Sequence, residues 1–127
     1  MFSHPYSQGV TATKLQILDK DGKKLFPDEG KLISDLPTRS WTATNKFLST
    51  DNNGNAIVIV HDCRNAEAGS QNISYTAYKV SPSGEMLWGE DGVDLERGQS
   101  NSSEAHIESV SMDDGSTVFA WFRARNN

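Results

Sequence analysis

Apolar and polar residues alternate along this chain in short runs that Gly, Asp, Asn and Pro interrupt. Helical spacing is nearly absent, so the pattern predicts an all-β protein. Strands are expected over 10–18, with Leu15 and Ile17 on one face, and over 23–26, 41–50 and 55–61. Asp19-Lys20-Asp21-Gly22 and Asp51-Asn52-Asn53-Gly54 read as tight turns. Residues 32–39 read as a connection, because Pro37 bars a central strand. The same order then recurs: a strand over 73–80, a turn at Ser81-Pro82-Ser83-Gly84, a strand over 85–88, and a polar connection over 93–103. A hairpin of 106–111 and 117–123 around Asp113-Asp114-Gly115 ends the series.

The recurrence is visible in the residues themselves. Ser7-Gln8-Gly9-Val10 returns as Ser70-Gln71-Asn72-Ile73, and Asp21-Gly22-Lys23-Lys24-Leu25-Phe26 returns as Ser83-Gly84-Glu85-Met86-Leu87-Trp88. Asp51-Asn52-Asn53-Gly54 returns as Met112-Asp113-Asp114-Gly115. Two units are expected, about 7–69 and about 70–127, within one β-repeat domain. A unit of this size is a small sheet that cannot bury its own faces, so it stacks on a neighbour. Two units are fewer than the roughly three a stable array needs. Either copies of the chain associate, or the chain is a slice of a longer array of blades.

Two runs set the layering. Ala56-Ile57-Val58-Ile59-Val60 is apolar throughout, and Val118-Phe119-Ala120-Trp121-Phe122 nearly so. A strand with one wet face alternates, whereas a strand covered on both faces does not. The expected fold is therefore all-β, in four-stranded antiparallel propeller-like blades. The chain would supply half a blade, a whole blade and half a blade. A small β-sandwich is the alternative, and it predicts alternation instead.

Several segments carry a resemblance. Asn72 to Leu95, NISYTAYKVSPSGEMLWGEDGVDL, resembles a propeller-type repeat of secreted bacterial proteins, in which a strand leads to a DxxG turn, an LW pair and a GxxL end. Asp51 to Arg64 and Ser111 to Arg125 are similar to the hairpin that follows it in that family. Val60 departs from the Trp usual there, and Arg123 from the Asp, while Trp121 and Asp62 keep them. Ser111-Met112-Asp113-Asp114-Gly115-Ser116-Thr117 is also similar to the Asp-box, Ser-x-Asp-x-Gly-x-Thr, of sialidase-like propellers. The resemblance implies a fold and an extracellular, periplasmic or cell-surface location. The Asp-box is structural in those families and implies no catalysis.

Composition narrows the partners. The 127 residues carry a net charge of −5, and no Lys/Arg cluster stands out, so neither nucleic acid nor an anionic membrane is expected. No stretch approaches the roughly 20 apolar residues of a membrane-spanning helix. Met1 to Tyr6 has no basic start leading to an apolar run, so no signal peptide is expected, and a cytoplasmic protein would read the same way. Cys63 is the single cysteine, so no intrachain disulfide forms.

Candidate chemistry is sparse. The Asp19 and Asp51 turns place oxygen ligands at alternating positions, yet the first has Gly30 at the closing position and the second Ala56 where a calcium loop needs Gly. Plain turns are expected, with no metal and no cofactor. His4, His61, Cys63 and His106 are scattered rather than clustered as zinc ligands are. No Gly-x-Ser-x-Gly elbow occurs, and His61 and Cys63 are two apart on a strand, too far for a nucleophile–base contact. Glu29, Glu90, Asp91, Glu104 and Glu108 read as solvated rather than as a glycosidase pair. No catalytic residue is assigned.

Sugar binding has the most residues behind it. Trp41, Trp88, Trp121, Tyr75 and Tyr78 could stack on sugar rings beside Arg64 and Arg125. Trp88 and Trp121 hold repeat positions and read first as packing residues. Trp41 lies outside the repeat pattern, so Trp41, Arg39, Arg64 and Arg125 are the expected ligand contacts. The expected function is a non-enzymatic binding or scaffold module with a glycan or protein partner, or with self-association. The alternative is the propeller portion of a glycan-degrading enzyme with its catalytic residues elsewhere.

Overall fold

Every residue from Ala56 to Val60 is buried, and these five set the middle of the molecule. The computed structural model describes residues 12–35, 46–62, 73–99 and 106–122. These form eight strands and no helix: β1 (Thr13–Leu15), β2 (Lys31–Ser34), β3 (Lys46–Thr50), β4 (Ala56–Asp62), β5 (Ile73–Val80), β6 (Val93–Gln99), β7 (His106–Ser111) and β8 (Thr117–Phe122). They make three antiparallel sheets, β1-β2, β3-β4-β5-β6 and β7-β8.

The small sheets cover opposite faces of the large one. Even-numbered positions of β4 and β5, Ala56, Val58, Val60, Tyr78 and Val80, pack with Leu15 and Ile33 of β1-β2. Odd-numbered positions, Ile59, Tyr75 and Ala77, pack with Ile107, Phe119 and Trp121 of β7-β8. Strand period two sends neighbouring side chains to opposite faces, so a run without alternation needs a cover on each. Burial stabilises by about 1.5–3 kcal/mol for each Val or Ile of this run.

The second apolar run behaves differently. Phe119 and Trp121 face the middle sheet, while Val118 and Ala120 point outward and are exposed. The expectation that this strand is covered on both faces is thus corrected. β8 lies in an outer layer, and nothing among the described residues covers its far side.

The turns repeat with the strands. In four of them the first residue's N–H bonds the fifth residue's C=O: Asp19 to Lys23 (2.8 Å), Asp51 to Asn55 (3.1 Å), Ser81 to Glu85 (3.0 Å) and Met112 to Ser116 (2.8 Å). The glycine at position four takes positive φ in each, at Gly22, Gly54, Gly84 and Gly115. The first and third of these turns are 62 residues apart, the second and fourth 61. Side-chain oxygens of Asp19, Asp51 and Ser81 accept the position-five N–H, as turn-forming residues do. Met112 cannot, and Asp114 accepts the Ser116 N–H and hydroxyl instead. In the Asp-box-like segment it is therefore Asp114, not Asp113, that holds the turn.

One strand of each unit lies elsewhere than the pattern suggests. The expected strands 23–26 and 85–88 shrink to single bridges, Leu18 with Lys24 and Val80 with Met86. The expected connections 32–39 and 93–103 supply β2 and β6 instead. The reason is a second glycine turn. Gly30 and Gly92 bring the chain hard against the preceding strand, where an added Cβ would lie 3.1 Å from the Leu15 carbonyl oxygen and 2.6 Å from that of Ala77. Both have positive φ, 86° and 69°. A strand can begin there only with no side chain in the way. Gly92→Ala is expected to cost about 2–3 kcal/mol, from backbone strain plus the clash with Thr76 and Tyr78. Urea unfolding of the variant checks this.

Candidate functional site

Among the described residues, polar and aromatic contacts join the middle sheet to β7-β8 along one seam. Trp88 and Phe119 meet edge to face, centroids 6.2 Å apart at 67°. The Trp121 indole N–H donates to Glu96 Oε1 at 2.7 Å. Ser49 and Ser109 bond through their hydroxyls, and the Ser111 hydroxyl donates to the Thr50 carbonyl at 3.1 Å. Trp88 and Trp121 are half-buried against the Ile59–Ala77–Ile107 cluster, as their repeat positions suggest. Phe26, 62 residues before Trp88, packs likewise on the opposite cluster.

Lys79 is the centre of this seam. Its Nζ sits 3.0 Å from Asp51 Oδ2, 3.4 Å from the Gly115 carbonyl oxygen and 5.5 Å from the Trp88 ring centroid. The two charged side chains are only 10% and 2% exposed. One cation thereby joins the β3-β4 turn, the β7-β8 turn and an aromatic face. Burial pushes the Asp51 carboxyl upward, but the opposing bonds prevail: from the Asn55 side chain, the Asn55 amide, Lys79 and the Asn53 amide. Together they hold it well below the usual carboxylate range. Asp51 thus serves as a turn brace and counter-charge. The pair was not singled out by sequence reasoning. Its one signal is a lysine between Tyr78 and Val80 near the end of an apolar strand.

Among the described residues two grooves open along the seam. One of about 280 Å³ is lined by Phe47, Leu48, Ser49, Ile107, Glu108 and Ser109, and one of about 140 Å³ by Ala77, Trp88, Val93, Leu95, Thr117 and Phe119. Both fall below the roughly 300–1,000 Å³ of ordinary small-molecule sites. Among the described residues no group of three or more His, Cys, Asp or Glu could hold a metal ion.

The structure changes the sugar-binding set. Tyr75 and Tyr78 are 1% exposed, so neither ring can meet a ligand. Trp41, Arg39, Arg64 and Arg125 lie outside the described residues, as do His4 and Cys63. His61 and His106 belong to β4 and β7 as backbone, with their side chains outside the described set. No family model, curated protein or solved structure matches the chain.

Proposed function

We propose that this chain is a non-enzymatic binding or scaffold module built of propeller-like blades, with a glycan or protein as its partner. One observation carries the reading: a four-stranded sheet covered on both faces by sheets of the same repeat. Blade-on-blade stacking demands that arrangement, whereas a two-sheet sandwich leaves one face of each sheet wet. The polar groups of the seam support it further. Lys79 with the Gly115 carbonyl, Ser49 with Ser109, and Trp121 with Glu96 bond one layer to the next, so these donors and acceptors are spent on assembly. A location outside the cytoplasm rests on the resemblance of Asn72 to Leu95 to repeats of secreted proteins.

Trp41, with Arg39, Arg64 and Arg125, remains the proposed contact set. Trp41→Ala should abolish binding to an oligosaccharide panel, measured by titration calorimetry, and leave the melting temperature nearly unchanged. A large fall in melting temperature would mark Trp41 as core instead. Aryl-glycosides should not be turned over. Detectable hydrolysis by the chain alone would replace the module reading with the glycan-degrading enzyme.

A further inference from the structure

The two outer sheets are incomplete copies of the middle one. β7-β8 corresponds to β3-β4 at an offset of 61 residues, and β1-β2 corresponds to β5-β6 at 62. In the middle sheet β4 pairs with β5 along its second edge. Among the described residues β8 has no such neighbour, and neither has β1. The missing neighbours show in the burial. Val118 stands at the position of Ile57 and is 52% exposed, where Ile57 is 0% exposed. Leu18 stands at the position of Val80 and is 57% exposed, where Val80 is 0% exposed.

We propose that a second copy of this chain docks head to tail on the first, its β1 pairing with β8 in the register by which β5 pairs with β4. Ile57 opposite Lys79 and Ile59 opposite Ala77 then become Val118 opposite the partner's Ile17 and Ala120 opposite the partner's Leu15. A four-stranded blade, β7-β8 with β1-β2 of the next copy, results. The far face of β7-β8 comes to lie against the next copy's middle sheet, as the face of β3-β4 lies against β7-β8 within one chain.

Paired exchanges at this contact identify the occupant. Within the chain, Asp51 and Lys79 form a nearly buried ion pair. Their counterparts are Met112 and Ile17, an apolar pair, and Met112 is exposed. Within the chain, Ser49 and Ser109 bond across layers. Their counterparts are Val110 and Leu48, the two most exposed large apolar side chains among the described residues. In each exchange both partners change together from polar to apolar. Changing one partner alone would bury a charge or hydroxyl against carbon, at a cost of several kcal/mol for the charge. The complements of Met112 and Val110 are therefore found in the same chain, at Ile17 and Leu48. β8 also keeps an unguarded edge: β7-β8 pairs without a bulge, and no Pro or charge stands in 117–122. The two surfaces differ, so the contact is heterologous and propagates into a ring or a filament.

The inference rests on the blade reading above but not on any ligand. Size-exclusion chromatography with light scattering on the full chain should give a mass of several 14.0 kDa chains. Val118→Asp and Val110→Asp should each reduce it to one chain with an unchanged circular dichroism spectrum, since both sites are open in the single chain. Register is read separately, in a Cys63→Ser background with a short bismaleimide cross-linker. A mixture of Val118→Cys and Ile17→Cys chains should cross-link, and a mixture of Val118→Cys and Leu25→Cys chains should not. One chain at every concentration overturns the proposal and leaves these faces to further repeats of a longer protein. Equal cross-linking of both mixtures, or aspartate variants that keep the assembled mass, overturns it too. In none of these outcomes is the glycan titration affected, so the two readings fail separately.

Discussion

Val58→Asp should leave the chain unfolded. Val58 is buried on the face that β1-β2 covers, packed with Leu15, Ile33, Tyr78 and Val80. Its packing partners are apolar, apart from the Tyr78 hydroxyl. Burying an unpaired carboxylate costs several kcal/mol even after relaxation, and the lost Val packing adds about 1–3 kcal/mol. A domain has about 5–15 kcal/mol in total, so the two terms consume most or all of it. Val118→Asp, at the repeat counterpart of Ile57, should leave a folded single chain, because Val118 is open to water. The contrast is measured by circular dichroism and soluble yield. A soluble, cooperatively melting Val58→Asp would refute the doubly covered strand and favour a two-sheet sandwich.

The contrast also shows what the sequence made legible. The run Ala56 to Val60 and the run Val118 to Phe122 look alike in composition, yet one is doubly covered and the other singly. Composition reports the repeat position, while burial reports whether the next layer is present. Turns were legible because their chemistry is local: Asp19, Asp51 and Ser81 each brace the amide four residues on. The β2 and β6 strands were not. Lys23 to Phe26 and Glu85 to Trp88 carry the apolar residues, but Gly30 and Gly92 restart the chain against Leu15 and Ala77. That is a tertiary close approach with no local signature. The packing role of Trp88 and Trp121 was readable from repeat position alone. Lys79 was not, because its partners Asp51 and Gly115 are distant in sequence and the counterpart positions hold Ile17 and Met112.

Asp51→Ala should cost about 3–5 kcal/mol, the range for breaking a buried ion pair by removing one partner. Two losses combine. The Asn53 and Asn55 amides lose their acceptor, both at 2.9 Å, and the Asn55 side chain loses its own at 2.8 Å. Lys79, 10% exposed, is left with the Gly115 carbonyl and the Trp88 face. Lys79→Met should cost less, because Asp51 keeps three donors when the ammonium goes. The double variant should be less destabilised than the sum of the singles, the signature of direct coupling. The pair also sets an acid response. The Asp51 carboxyl is depressed in the folded chain relative to the unfolded one. Its contribution is therefore complete above the unfolded value near 3.9 and is lost as pH falls toward the folded one. Urea midpoints should accordingly hold steady from neutral pH to about pH 5 as far as this group decides, then fall in wild type. Asp51→Asn should start lower and show a shallower acid decline. An acid limb of equal steepness in the two proteins would assign the response to other carboxylates and remove Asp51 as its source.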